Sequence, residues 1–553
     1  MRNVTDVNKT TFQNKSLFWI SALLGGIFFD LLFWEQSLGV NFVIFISIAV
    51  IAGLIPILSE NVKVPWTSLI LLIPTVYFAV MSFVRAEPTT TFMNIFFALS
   101  CLILFAMTLL NGKWYQFQLH EHIIHLFQFF LTSVAGGIFF FIRSKKGDPG
   151  PESAEDESIH EKKDRSIKRA APYIRGLLLA IPILALFAVL FAQADPIFND
   201  WVQETFSLFT FANLEEYLIR LTLVLLIAYG LLSTFFFAFT ESKKIRASQE
   251  DKPLVKPFLG SIEANIILGG INLLFLLFVI LQFSYLFNGG KNISATGYTY
   301  SEYARRGFFE LLLVAVISMI LFYVLSTITK REGHSKRWVF SSLGIALVSL
   351  VAIILVSAYT RLTLYEIAYG FTRLRTLAHI FMIWVALLLI AIAVLEIRKS
   401  LHRLAFVLIC FILGLGLTVN LLNIDRFIVQ QNVTRMIQGV EVGAESVLDT
   451  GYLFSLSDDA IPKMVEYFTD SATPEGVRHE IGGVLACESY KSNTTQEKGW
   501  PSYHVSQSRR NALLESLSRE LASYPVTEDR YTLYVEVNGK VKTCDGYRYD
   551  PID

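Results

Sequence analysis

The stretch TLAHIFMIWVALLLIAIAVLEIRKSLHRLAFVLICFILGLGLTVNLLN, from Thr376 to Asn423, contains two long apolar runs separated by a short basic loop. Roughly 20 mostly apolar residues suffice for a helix to cross the hydrocarbon core of a bilayer. The runs 376–395 and 404–423 therefore predict two membrane-spanning helices. The rest of the chain has the same character, since 53% of its 553 residues are hydrophobic and only 17% are charged. This composition excludes an ordinary soluble enzyme.

The same criterion predicts ten further spans. Five precede a charged segment, at about 16–34, 39–58, 66–84, 91–111 and 122–142, and five follow it, at about 173–192, 217–239, 264–287, 308–328 and 339–358. The charged segment, residues 143–171, contains eight Lys/Arg and seven Asp/Glu and reads as a surface linker. We predict an all-α polytopic membrane bundle of about 12 transmembrane helices, with N-terminal membrane helices in residues 1–142 and a second bundle in residues 172–423.

Residues 424–553, which we call the C-terminal domain, differ in composition from the spans. From Asp425 onward there are 13 Lys+Arg and 20 Asp+Glu, a net charge of −7. The stretch VSQSRRNALLESLSRELASY, from Val505, has helical periodicity, and Asn538-Gly539 predicts a type I′ turn in a β-hairpin. We predict a small, acidic, water-facing α+β domain.

Basic residues in short loops remain on the cytoplasmic side of a membrane. The linker and the loops 243–256, 330–337 and 398–403 are all rich in Lys and Arg, and they fall on one side if the later spans are right. The pattern predicts a cytoplasmic linker and an extracytoplasmic C-terminal domain. Five spans before the linker would put the N-terminus outside, whereas one span fewer would put it inside, and the sequence leaves both arrangements open.

Cysteine usage bears on the same question. Cys487 and Cys544 are the only cysteines of the C-terminal domain, whereas Cys101 and Cys410 lie in predicted spans. A disulfide between Cys487 and Cys544 is expected if the domain is outside. Two free thiols in a cytoplasmic domain would give the same sequence.

Three carboxylates in or beside apolar spans are candidates for an intramembrane polar site, because burying a charge in the bilayer requires a partner or water. They are Asp30, Glu310 and Glu366. In a functional interpretation each binds a proton, a cation or a cationic substrate. In a structural interpretation Glu310 pairs with Arg306 at i, i+4, and Asp30 reaches the interface near the end of its helix.

The stretch from Tyr359 to Arg375 is rich in Tyr and Arg. If it forms one helix, Glu366, Tyr369 and Arg373 form a polar stripe, and Arg361 and Tyr365 form a neighbouring row. Guanidinium groups suit phosphate oxygens, so this face is a candidate site for an anionic lipid. The simpler interpretation is an interfacial helix anchored by its own side chains.

His122 and His125, three residues apart and next to Glu121, are weak candidates for metal ligands. Histidines at the start of a span also commonly meet lipid headgroups. The sequence has no phosphate-binding loop, dinucleotide fingerprint or nucleophile elbow. We therefore predict no cofactor.

Several segments resemble a known family. They include DLLFWEQSLGVN from Asp30, YIRGLLLAIPILALFAVLFAQADPIF from Tyr173, GYTYSEYARRGFFELL from Gly297 and SAYTRLTLYEIAYGFTRLR from Ser357. The chain resembles a family of bacterial integral membrane proteins of unknown function, the one numbered four-one-seven-three. The resemblance implies a multi-pass protein of the bacterial cytoplasmic membrane, without an established reaction or substrate.

Three functional hypotheses follow. The first is a transporter-like protein whose intramembrane carboxylates converge; the second is a non-catalytic envelope scaffold or sensor that acts through its exterior domain. The third is a membrane enzyme acting on a lipid-linked substrate. The expected partners are the lipid bilayer, an anionic lipid or small solute, and a protein that binds the C-terminal domain, whereas the balanced charge excludes nucleic acid.

Overall fold

The structure, a computed structural model, describes residues 14–145, 214–242, 257–287, 308–331, 333–438, 449–494, 499–529 and 532–544, with scattered residues between 180 and 199. The N-terminal helices are α1 (Lys15–Phe33), α2 (Val40–Ser59), α3 (Trp66–Leu69), α4 (Leu72–Val84), α5 (Pro88–Thr108) and α6 (Leu119–Lys145). The later membrane helices are α7 (Leu214–Thr240), α8 (Ser261–Phe287), α9 (Phe308–Ile328), α10 (His334–Tyr369), α11 (Arg373–Ile397) and α12 (Leu404–Leu422).

Within these described ranges, ten helical segments are long and apolar enough to cross a membrane. They correspond to α1, α2, α3 with α4, α5 and α7–α12. The predicted membrane bundle is thus confirmed, and a total of about 12 spans fits these ten. Apart from residues 143–145, which end α6, the predicted linker lies outside the described residues, as does most of the predicted span 173–192.

The chain divides into two compact units. The first comprises Met1–Ser37, Ile44–Val64 and Phe127–Lys244, and the second comprises Leu38–Val43, Pro65–Leu126 and Ile245–Asp553. In the first unit α1 packs along α7. Gly26 permits this close approach, because a Cβ atom there would lie 2.4 Å from the carbonyl oxygen of Val224.

The second unit has a membrane core and a water-facing core. In the membrane core, α8–α12 bury large side chains that include Phe322, Phe340 and Leu389. The water-facing core lies in the C-terminal domain, whose helices are α13 (Ile424–Ile437), α14 (Thr450–Phe454), α15 (Ile461–Thr469), α16 (Glu475–Thr494), α17 (Val505–Ser516) and α18 (Ser518–Leu521). Its strands are β1 (Val526–Asp529), β2 (Thr532–Val537) and β3 (Lys540–Thr543).

The three strands form an antiparallel sheet in the order β1-β2-β3. Asn538 and Gly539 join β2 to β3 with φ angles of 51° and 73°. Positive φ at both positions is what a type I′ turn requires, so the predicted hairpin is confirmed. The predicted helix from Val505 is interrupted at Leu517, which lies between α17 and α18.

One combination of topology predictions is wrong. Five complete crossings before a cytoplasmic linker would put residues 85–87 in the cytoplasm, across the membrane from an exterior C-terminal domain. The backbone N–H of Ala86 instead donates a hydrogen bond to Asp459 of that domain over 2.8 Å. Hydrogen-bonded groups cannot lie on opposite sides of a hydrocarbon core of about 30 Å. An arrangement in which α6 does not cross, so that the N-terminus is inside, agrees with the contact, and α6 is not among the ten helical segments above.

This correction predicts the outcome of thiol labelling. In a chain with Cys101 and Cys410 replaced, Thr89→Cys and Ser523→Cys introduce exposed thiols in the first turn of α5 and in the C-terminal domain. We expect an impermeant reagent to label both from the same side of the membrane, and Arg398→Cys from the other. Labelling of Thr89→Cys and Ser523→Cys from opposite sides would contradict the fold of the second unit.

Candidate functional site

The contact between the membrane helices and the C-terminal domain is organised by Asp425, which is fully buried. Nε and Nη2 of Arg373, at the start of α11, donate hydrogen bonds to the two carboxylate oxygens of Asp425 over 2.7 and 2.6 Å. The backbone N–H of Ser457 donates to the same carboxylate over 2.7 Å, and the Tyr452 hydroxyl accepts from the backbone N–H of Arg373. The carboxylate thus joins a membrane helix to the domain.

A second buried carboxylate, Asp459, makes a parallel connection. It accepts hydrogen bonds from the backbone N–H groups of Ala86 and Glu87, between α4 and α5, and from the Ser506 hydroxyl on α17. Burial raises the pKa of Asp459, and these hydrogen bonds oppose the rise. Glu87 in turn caps α5 by accepting from the backbone N–H groups of Thr89 and Thr90.

Asn420, near the end of α12, completes this network. Its carbonyl oxygen accepts two hydrogen bonds from Arg85, over 3.0 and 2.6 Å. Its side chain pairs with that of Asn94 on α5, over 2.6 and 3.0 Å. These buried polar groups satisfy one another's hydrogen bonds, and the C-terminal domain is therefore fixed on the helix ends.

Close backbone packing adds to the attachment. A Cβ atom on Gly39, just before α2, would lie 2.6 Å from the carbonyl carbon of Ser502. The backbone N–H of Val40 donates to the carbonyl oxygen of Tyr503 over 3.0 Å. Only glycine fits at position 39 without displacing the domain.

Gly39→Ala is therefore expected to destabilise the attachment by about 1–3 kcal/mol, the usual cost of overpacking. Faster hydrogen exchange in α17 would report the loss. Gly269→Ala is the matched control, since a Cβ atom there has nothing within 4 Å. Equal exchange in the two variants would mean that Ser502 and Tyr503 do not rest on α2.

A cavity of about 620 Å³, which we call the junction pocket, lies beside this network. Helix α5 contributes Phe92 and Ile95 to its apolar wall, and the C-terminal domain contributes Asp458, His504 and Gln507 to its polar wall. Asp458 is already paired with Arg510 over 2.7 Å. The other charged residue of the lining, Arg373, is paired with Asp425. The pocket therefore combines an apolar surface with polar groups whose charges are compensated.

His504 supplies a hydrogen-bonding group to this pocket. It is 92% buried, and its Nδ1 atom has no hydrogen-bond partner among the residues that the structure describes. Burial lowers the pKa of His504, although Asp459 and Asp458 oppose the shift. The imidazole is thus held neutral, with one nitrogen left for a ligand or water.

The depressed pKa has a consequence for stability. The unfolded chain takes up a proton on His504 as the pH falls below the ordinary value of 6.5, whereas the folded domain resists it. The contribution of His504 is therefore complete above pH 6.5 and is lost on acidification. We expect the C-terminal domain to unfold at a lower temperature at pH 5.5 than at pH 7.5, and His504→Gln to reduce the difference. An unchanged difference would assign the effect to other groups.

The predicted polar stripe of Glu366, Tyr369 and Arg373 is wrong. Helix α10 continues through residues 359–369, so no separate interfacial helix exists there, and it ends at Tyr369 before Gly370, whose φ is +79°. Arg373 begins the next helix and points to Asp425. Arg361 and Tyr365 do share α10, as predicted.

The other members of this stretch have local partners. Glu366 is 98% buried, with a carboxylate oxygen 3.1 Å from Nδ1 of His379. The ring of Tyr365 lies 4.9 Å from that of Tyr369 and 4.2 Å from the Arg375 guanidinium. These contacts give the polar and aromatic side chains of this stretch a role in local packing.

The remaining two carboxylates do not join Glu366. In the first unit Asp30 forms an ion pair with Arg220 over 2.7 Å. In the second unit Glu310 is exposed at the start of α9, and its proposed partner Arg306 lies outside the described residues. In the second unit, the described ranges contain no hydrogen bond or ion pair between Glu310 and Glu366.

His122 and His125 both pack against Phe117, with ring centroids 5.4 and 5.3 Å from it. The described part of the chain contains no group of three or more His, Cys, Asp or Glu side chains that could hold a metal ion. In the C-terminal domain, Cys487 and Cys544 form a disulfide. Both cysteines are fully buried and link α16 to the end of the sheet.

The fold and the junction define a multi-pass membrane protein with a C-terminal domain fixed on its helix ends. Residues 72–467 match the family described as Domain of unknown function (DUF4153). The match covers more than half of the chain, so the chain belongs to this family. A family of unknown function was predicted from the motifs, but the number four-one-seven-three is not confirmed. No curated protein and no solved structure matches the chain.

Proposed function

We propose that the protein is a membrane-embedded sensor that binds an uncharged amphiphilic molecule in the junction pocket. The observation that carries the proposal is the composition of this pocket, in which Phe92 and Ile95 of α5 face Asp458, His504 and Gln507 of the C-terminal domain. A molecule in the pocket would contact a membrane helix and the water-facing domain at once. Its binding would therefore strengthen the attachment of the domain.

The chemistry of the walls supports the ligand class. Arg373 and Asp458 are neutralised by Asp425 and Arg510, so the pocket offers no unpaired charge to an ionic ligand. Neutral His504 and the amide of Gln507 suit a hydroxyl or amide headgroup. Phe92, which is 69% exposed, suits a hydrocarbon body.

The transport hypothesis has less support. It requires carboxylates that converge, whereas Asp30 is paired with Arg220, Glu366 is paired with His379, and Glu310 is exposed. The enzyme hypothesis also has less support. Within the described residues the Thr363 hydroxyl lies 3.4 Å from Nε2 of His379, but it already donates to the carbonyl oxygen of Tyr359 over 3.0 Å. A sensor needs only a pocket and a domain that responds to it.

We also propose that the C-terminal domain faces the exterior of a bacterial cytoplasmic membrane. The Cys487–Cys544 disulfide supports this orientation, because disulfides persist in oxidising compartments. The basic loops 330–337 and 398–403 follow the C-terminal ends of α9 and α11, which are the ends away from the C-terminal domain. The positive-inside rule favours the cytoplasmic side for such loops, and the C-terminal domain would then face the exterior.

Ligand-dependent thermal stability tests the proposed function. A medium-chain monoacylglycerol, which is uncharged, is expected to raise the unfolding temperature of the full-length protein in detergent, whereas the fatty acid of equal length is not. Gln507→Trp should abolish the shift by filling the pocket. Ser508→Trp, at the next exposed position of α17 and outside the pocket lining, should leave it unchanged.

Two outcomes would reject the proposal. An equal shift with the fatty acid would remove the charge selectivity that the paired walls imply. An equal shift in Gln507→Trp would put the ligand elsewhere. Movement of a solute across proteoliposomes that ceases in Glu366→Gln would instead favour transport.

A further inference from the structure

A basic cavity lies at the opposite end of the membrane core from the C-terminal domain. It has a volume of about 280 Å³ and is lined by residues that include Arg331, Arg337, Glu396, Lys399 and His402. Arg331 precedes α10 and Arg337 lies in its first turn, Glu396 lies at the end of α11, and Lys399 and His402 lie in the segment before α12. We call this cavity the basic pocket.

Only part of its positive charge is compensated. Glu396, which is 96% buried, accepts hydrogen bonds from Arg331 over 3.0 Å and from the Ser341 hydroxyl over 2.6 Å. Neither Arg337 nor Lys399 has an ion pair within the described ranges. Burial lowers the pKa of Arg331; the Glu396 carboxylate opposes this shift and the charge of Arg337 adds to it. Among the lining residues that the structure describes, the cations therefore outnumber the single carboxylate of Glu396.

Arg331 is oriented by its surroundings rather than by solvent. Its guanidinium lies 4.1 Å from the centre of the Phe340 ring, and its Nη2 atom donates to the carbonyl oxygen of Ser326 over 2.7 Å. Its Nε atom is buried and has no hydrogen-bond partner in the part of the chain that the structure describes. A guanidinium fixed in this way presents a preformed hydrogen-bonding edge.

An apolar groove of about 320 Å³ continues from the basic pocket along the membrane helices. Tyr323 lines both cavities. On α9 the groove is lined by Met319 and Ile320, one turn from Tyr323. On α11 it is lined by Ile392, one turn from Glu396. The basic pocket and the groove thus form one continuous surface on the same helices.

We propose that this surface binds an anionic phospholipid, with the phosphate headgroup in the basic pocket and an acyl chain in the apolar groove. Charge complementarity favours the phosphate, since Arg and Lys donors suit its oxygens. Continuity with the groove favours a lipid over a free ion. The basic pocket is also at the membrane face where the positive-inside rule puts the cytoplasm, and anionic lipids give that leaflet its negative surface potential.

The site is distinct from the junction pocket in both position and chemistry. The junction pocket has paired charges and suits an uncharged ligand, whereas the described lining of the basic pocket has more cations than carboxylates. The two proposals therefore fail independently, and each can be tested in a protein whose other site is intact.

Lipid retention in native mass spectrometry tests the inference on the full-length protein. We expect phosphatidylglycerol to remain bound after phosphatidylcholine has been lost. Removing two basic side chains in Arg337→Gln/Lys399→Gln should weaken phosphatidylglycerol binding roughly tenfold or more. Arg398→Gln/Arg403→Gln, which removes the same charge from exposed neighbours outside the lining, should have little effect.

A second pair of variants tests the acyl chain. Ile320→Trp fills the groove, whereas Ile317→Trp adds the same bulk at a similarly exposed position of α9 that does not line it. Weaker retention only in Ile320→Trp is expected. Equal retention in all four variants would overturn the proposal. Displacement of phosphatidylglycerol by millimolar inorganic phosphate would also overturn it, because the site would then be one for free phosphate.

Discussion

Asp425→Ala is expected to release the C-terminal domain from the membrane helices. The carboxylate is fully buried and receives hydrogen bonds from Nε and Nη2 of Arg373 and from the backbone of Ser457. Removing it leaves the Arg373 guanidinium with only the more distant carboxylate of Glu87, 3.8 Å from its Nε atom, at a cost of about 3–5 kcal/mol. Because domain stability is only about 5–15 kcal/mol, this is a large fraction of it. Hydrogen exchange and limited proteolysis of residues 449–460 would measure the loss.

Two further variants separate the effect of the unpaired Arg373 charge from the effect of the lost volume of the Asp425 side chain. Arg373→Met/Asp425→Leu removes both charges, so it should recover much of the stability lost in Asp425→Ala. Glu466→Gln breaks an exposed pair with Lys463 and should cost less than about 1 kcal/mol. If Asp425→Ala were as stable as Glu466→Gln, the buried network would not hold the domain in place.

The second large effect concerns the disulfide. Cys487 and Cys544 are separated by 57 residues, so their bond restricts a long loop of the unfolded domain. Replacing both by alanine is expected to cost about 2–5 kcal/mol. Thermal unfolding of the C-terminal domain, before and after mild reduction of the wild-type protein, would measure this contribution.

The free cysteine Cys410 provides the control. It is exposed on a membrane helix and forms no disulfide, so Cys410→Ala should leave the unfolding temperature and its response to reduction unchanged. An unfolding temperature of Cys487→Ala/Cys544→Ala equal to that of the wild type would indicate that the bond does not form in the cell. It would also remove one support for the exterior orientation.

Much of the fold could be predicted from apolar runs and turn residues. A membrane span is a local property of about 20 residues, and the Asn538-Gly539 turn depends on two. The position at which α10 ends could not be predicted in this way. An apolar window of about 20 residues does not reveal that a helix continues for 36 residues until Gly370 ends it.

The candidate site was largely missed because its partners are distant in sequence. Asp425 follows a span and Asp459 lies in a polar segment, and neither position looks unusual before the domain packs on the helix ends. Arg373 was recognised as a candidate, but its partner is 52 residues away. The contact between Ala86 and Asp459 spans 373 residues. A single sequence offers no signal for such pairs.

Asp30 and Arg220 illustrate the same limit. Asp30 was recognised as an ionisable residue near the end of a span and was interpreted as reaching the interface. The structure pairs it with Arg220 across 190 residues, with Nη2 of Arg220 2.7 Å from the Asp30 carboxylate. A charge in an apolar span therefore predicts a partner, but not which one.

The most direct test of the proposed function is photolabelling of the full-length protein in proteoliposomes with an uncharged diazirine-bearing monoacylglycerol. We expect adducts concentrated in the peptides that contain Phe92, Ile95 and Gln507, with a several-fold loss in Gln507→Trp and none in Ser508→Trp. Adducts spread evenly over the lipid-facing helices, and unaffected by Gln507→Trp, would contradict a ligand site at the junction.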